Sequence, residues 1–255
     1  MIKIILVSLL TFSGLFAITP IEIARKVKNS SSGYESSKSV TEMVLIDQAK
    51  NRAVRVMHSM ALENTADDGN NGDKSLMEFQ TPIDVKGTKF LTHEKIVKNN
   101  NQWLYLPALK RIKRITSKNK SGSFMGSEFS YEDLSSREPS KYTYSKEFQD
   151  VLLDGIETYK YERYAKDKNS GYSKQIIWVD KKRFVVLQVE YYDKKKELLK
   201  TSNYSGYKKT KDTYRVSFIV MKNHQNLKST TFKYLEDEIH LKLDEKLFSK
   251  RYLKD

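Results

Sequence analysis

The chain has no cysteine among its 255 residues. That excludes disulfides, thiolate metal ligands, a cysteine nucleophile and lipid attachment through its own cysteine, so the fold must be held by its core. Runs of about 18 apolar residues, the length a membrane-spanning helix needs, are also missing. The four histidines stand at 58, 93, 224 and 240, and no pair has the i, i+4 spacing of a helical zinc site. No G-x-S-x-G, Walker lysine loop or G-x-G-x-x-G occurs. Two carboxylate pairs read as solvated faces: Asp67-Asp68 lies in a polar loop, and in Glu132-Asp133 neighbours on a strand would point opposite ways. The expectation is a protein that is no enzyme and takes neither metal nor cofactor.

Signs of export are present. Lys3 gives a positive start, residues 4–10 an apolar stretch, and residues 11–17 small residues with a cleavage point after Ala17. Residues 1–17 therefore read as a signal peptide and residues 18–255 as one domain. The formal charge is +14, and such a surface attracts anions. Export favours a membrane surface over nucleic acid as the anionic partner.

Residues 19–27 predict a short amphipathic helix, with Thr19 as cap and Pro20 at the first position. A long series of strand signals follows at 40–47, 52–59, 75–80, 87–93, 102–106, 110–115, 141–147, 157–165, 174–179, 183–192, 198–204, 213–221 and 229–235, with residues 64–73 as a loop. The spacing and alternation point to a large antiparallel sheet. Further helical signals are few: 127–134, 149–153 and 244–253. So little helix covers only part of one face, which leaves either a closed barrel or a curved sheet around an apolar hollow.

The most informative stretch is 101–134. Trp103 and Tyr105 lie in a strand-like run that breaks at Pro107, and a Ser/Asn/Gly segment then carries Phe124, Met125 and Phe129. Large apolar residues in such a segment need something apolar to cover, so it reads as a flap over the hollow. Trp103 and Tyr105, the alternating Val54 and Val56, and Val185 and Leu187 are candidates for the hollow's wall. Lys110, Arg111, Lys113 and Arg114 form the densest basic run and the candidate contact with an anionic surface.

The run 102–115, followed by 122–134, resembles the LolA-like outer-membrane lipoprotein-sorting proteins. Weaker likeness continues through Trp178-Val179-Asp180, the stretches 188–193 and 198–201, and the terminal 247–253. The resemblance implies a curved antiparallel half-barrel with short helices as a lid over an apolar cavity. It implies a periplasmic carrier that moves lipid or lipoprotein acyl chains towards the outer membrane, with an inner-membrane RND-type exporter as partner. A soluble adaptor of an efflux system, binding protein and not lipid, is the alternative.

Overall fold

The computed structural model describes residues 18–64, 69–135 and 138–254. The proposed signal peptide, Asp67 and Asp68 lie outside them. Among the described residues one α-helix, α1 (Pro20–Ser31), precedes sixteen strands. In chain order these are β1 (Ser36–Ile46), β2 (Arg52–Leu62), β3 (Asn71–Thr81), β4 (Lys89–Lys95), β5 (Asn101–Leu106), β6 (Arg111–Ile115), β7 (Tyr142–Tyr144) and β8 (Gln149–Leu153). The second half contributes β9 (Ile156–Ala165), β10 (Lys174–Asp180), β11 (Val186–Tyr192), β12 (Leu198–Ser205), β13 (Lys208–Thr210), β14 (Thr213–Arg215), β15 (Phe218–Asn223) and β16 (Ser229–Ile239).

Fourteen of these strands form one sheet in the order β6-β5-β4-β3-β2-β1-β16-β15-β12-β11-β10-β9-β7, with β8 also paired to β9. Every pairing is antiparallel. The sheet stays open, with β6 at one edge and β7 and β8 at the other. Of the two architectures the strand pattern allows, the half-barrel is the one formed. The β1–β16 ladder, from Ser37↔Ile239 to Ile46↔Ser229, joins the two halves of the chain.

Alternation then sorts the side chains. Met43, Met57, Phe79, Phe90, Leu104, Ile115, Tyr161, Ile177, Val189, Tyr204, Met221 and Phe232 belong to one buried cluster on the inner face. Ile23 and Ala24 of α1, and Phe124 and Phe129 of the loop after β6, close over it. A smaller cluster on the outer face holds Leu76, Leu91 and Trp103 beneath Phe248 and Leu253 of the C-terminal segment. Helix α1 starts where the sequence places it: the Thr19 amide and hydroxyl both donate to the Glu22 carboxylate at 2.7 Å, which satisfies a helix-start donor.

Several local expectations are corrected. Residues 149–153 form a strand, β8, because they pair with the start of β9 from Gln149↔Lys160 to Leu153↔Ile156. Residues 127–134 and 244–253 contain only short 3₁₀ turns, Tyr131–Leu134 and Glu245–Phe248. The stretch 213–221 is split, and β3 begins at Asn71, inside the stretch read as loop. Lys110 stands outside β6 in a left-handed turn with φ 47°.

Candidate functional site: the cavity under helix and loop

Between α1, the loop after β6 and the inner face of the sheet lies a cavity of about 760 Å³. Its volume falls within the range of about 300–1,000 Å³ usual for small-molecule sites. The apolar wall comes from Val27 of α1, Phe129 and Leu134 of the loop, Val185 of the turn before β11, and Ile177, Val186, Tyr204, Ile219 and Phe232 of the sheet. Polar groups gather at one end: Tyr34, Glu63, Asp73, Arg215 and Asp237.

The loop that covers the sheet is tightly tied. Met125 and Gly126 adopt φ of 50° and 75°, a left-handed pair that turns the chain so that the Phe124 amide donates to the Phe129 carbonyl at 2.7 Å. The Phe129 ring stacks on Phe232 with centroids 4.3 Å apart. Phe124 is fully buried and meets Phe90 at 5.2 Å and Phe79 at 5.8 Å. The Glu128 amide donates to Thr230 Oγ1 at 3.0 Å, and Asn223 Nδ2 donates to the Glu128 carboxylate at 2.7 Å. The Arg55 guanidinium donates to the Met125 carbonyl.

Beneath this loop sits a buried ion pair. Lys200 Nζ donates to Asp133 Oδ2 at 2.7 Å and to the Glu128 carbonyl at 2.9 Å. The Tyr172 hydroxyl donates to Asp133 Oδ1 at 2.8 Å, and the Ser130 amide and hydroxyl donate to Oδ2. Burial pushes the Asp133 carboxyl up, but the Lys200 charge and these donors more than offset it and hold it below its ordinary range. The same burial, with Asp133 alongside, pushes the Tyr172 hydroxyl well up. The solvated-face reading of Glu132-Asp133 is thereby corrected: Glu132 is also largely covered, accepting from the Gly171 amide at 2.7 Å.

The sequence-selected residues divide. Phe129 and Val185 line the cavity. Phe124 and Met125 lie in the cover; Phe124 fills core, while half-buried Met125 offers its carbonyl to Arg55. Trp103 and Tyr105 face the other way, into the outer cluster under the C-terminal segment. Val54 is exposed and Val56 half-buried, because Arg55 and Met57 take the inward positions of β2. Leu187 is the extra residue of a bulge, with Trp178 opposite Gln188 and Val179 opposite Val186. It is buried without lining the cavity, and Val186 lines it instead.

Lys110, Arg111, Lys113 and Arg114 are all exposed. Three of them, Lys110, Arg111 and Arg114, join Lys250, Arg251 and Lys254 around a groove on the outer face, floored by Trp103 and Ile112. Lys113 is not on it. The C-terminal cations escape a reading based on the basic run alone, since only the fold brings 250–254 beside β5 and β6. Among the described residues no cluster of His, Asp or Glu could hold a metal, and no helix is long and apolar enough to cross a membrane.

A family model described as an uncharacterized protein matches residues 71–255. None of the curated proteins matches the chain. Among solved structures, an outer membrane lipoprotein-sorting protein domain from Vibrio parahaemolyticus is 42% identical, with a TM-score of 0.87 over 92% of this chain and 98% of that one. A DUF1329 family protein from Desulfovibrio piger is 27% identical, with a TM-score of 0.84 over 91% and 97%. A LolA superfamily protein from Nitrosomonas europaea shares the fold at 18% identity, with a TM-score of 0.73 over 92% and 100%.

Proposed function

The chain belongs to the outer-membrane lipoprotein-sorting family and has the fold of a LolA superfamily protein, and from that premise we propose that it is a non-enzymatic periplasmic carrier of lipid or lipoprotein acyl chains. The observation that carries this reading is the cavity of about 760 Å³, walled by apolar side chains of α1, the loop and the sheet. Burying a methylene there contributes about 0.8 kcal/mol. Hydrophobic burial therefore supplies the affinity, and release needs a tighter acceptor or an opened cover. Residues 1–17 act as the export signal, removed after Ala17, and residues 18–255 act as one carrier domain.

The basic groove of Lys110, Arg111, Arg114, Lys250, Arg251 and Lys254 suits a transient contact with an anionic membrane surface, with Lys113 beside it on the same edge strand. An inner-membrane RND-type exporter is the transporter partner that the family likeness brings. The test is calorimetric titration of the mature protein with a diacylated lipopeptide and with the same peptide lacking its acyl chains. A carrier binds the acylated form alone. Equal binding of both makes the protein a peptide-binding adaptor and removes the lipid reading.

A further inference from the structure

Arg163 stands on the inner face of β9, two residues beyond Tyr161, and lines the cavity. It is 4% exposed. Its Nε donates to Gln175 Oε1 at 2.8 Å, and its guanidinium carbon lies 4.1 Å from the Tyr142 ring centre. Those contacts use one N–H and one face of the group. Among the described residues no acceptor meets either Nη and no carboxylate pairs with it.

Three of the acids lining the same cavity are paired with other cations. Glu138 pairs with Lys28 at 2.6 Å, Asp133 with Lys200, and Asp237 with Arg215 at 2.7 Å. An arginine stays protonated when buried. A buried cation without an anion is costly, and Gln175 and Tyr142 offset only part of that cost. A bound anion would supply the rest in the planar, two-pronged geometry that guanidinium offers to carboxylate or phosphate.

The neighbourhood gives that anion a tail. On the same face, Tyr161 precedes Arg163 on β9, and Ile177 follows the cross-strand partner Gln175 on β10. Both line the cavity and belong to the apolar cluster. An oxyanion at Arg163 thus lies at the start of an apolar wall.

Resting on the carrier reading above, we propose that Arg163 is the headgroup site of the cavity and that its ligand is an acyl chain ending in an oxyanion, a carboxylate or a phosphate, rather than a neutral lipid. The test measures binding of oleate, oleoyl lysophosphatidylglycerol and monoolein to the wild-type protein, Arg163→Gln and Arg163→Lys. The wild type should bind at least one of the two anions about tenfold or more tightly than monoolein, and which one separates carboxylate from phosphate. Arg163→Gln should lose that preference while keeping its affinity for monoolein. Arg163→Lys keeps the charge without the fork and should retain part of the preference.

If Arg163→Gln does not fold, side-chain nitrogen NMR of labelled arginine in the wild type decides. The signal absent from Arg163→Lys should move with the preferred anion and stay still with monoolein. Equal wild-type affinity for all three lipids overturns the proposal, as does a preference that survives in Arg163→Gln. Equal loss of all three lipids in a folded Arg163→Gln overturns it too, as does an unmoved Arg163 signal. Binding of monoolein without preference leaves the carrier reading standing; binding of none of the three overturns the proposal, and the lipopeptide titration then decides the carrier reading.

Discussion

Lys200 Nζ lies 2.7 Å from Asp133 Oδ2, with the two side chains only 5% and 3% exposed. The pair joins β12 to the loop that covers the cavity, and Ser130, Tyr172 and the Glu128 carbonyl complete it. Removing one partner leaves the other charged and buried, which costs about 3–5 kcal/mol. Asp133→Asn and Lys200→Met should each lower the urea-unfolding free energy by about that much. The double variant should recover part of the loss.

The same pair sets a pH dependence. The Asp133 carboxyl is held below its ordinary value in the folded state, so the unfolded state binds its proton first as pH falls. Its contribution is fully present above the unfolded value of about 3.9 and is lost as pH drops through the lower folded value. Urea midpoints between pH 7 and pH 3 should fall more steeply at the acid end in the wild type than in Asp133→Asn.

Phe124 gives a test of what the cover is made of. It is fully buried against Phe79, Phe90 and Tyr131, so Phe124→Ala should cost about 3–5 kcal/mol of stability. Val27 lines the cavity from α1 and is only half-buried. Val27→Trp should narrow the space and weaken acyl-chain binding about tenfold or more, with the thermal midpoint little changed.

Much of the sheet is legible because strand alternation and turn residues are local signals. The face each strand turns inward is not local. In β2 the valines 54 and 56 look like the core stripe, yet Arg55 turns inward because the Met125 carbonyl waits there, a contact that exists only after folding. Trp103 looks like a cavity aromatic, but the C-terminal segment covers the outer face and takes it, with Lys250 Nζ 5.6 Å from its ring. Asp133 looks solvated because its counterion, Lys200, is distant in sequence. Arg163 had a local signal: it shares parity with Tyr159 and Tyr161, whose rings mark the inner face of β9.

The basic groove makes its own prediction. Each lysine or arginine near an anionic surface contributes about 1 kcal/mol. The double substitution Lys250→Gln/Lys254→Gln should therefore lower binding to phosphatidylglycerol-containing vesicles about thirtyfold at low salt. Neutral vesicles should show no change, and raising salt should shrink the difference because exposed charges are screened. Equal loss on both vesicle types would assign the effect to misfolding.

The carrier reading is tested most directly by native mass spectrometry of the protein purified, without detergent, from the periplasm of the cells that make it. The expected spectrum shows a mature chain beginning near Ile18 with an added mass that fragments to one or more acyl chains, and Val27→Trp should release that mass. A spectrum of the bare chain alone, from preparations in which the diacylated lipopeptide also fails to bind, would mean that the cavity carries no lipid.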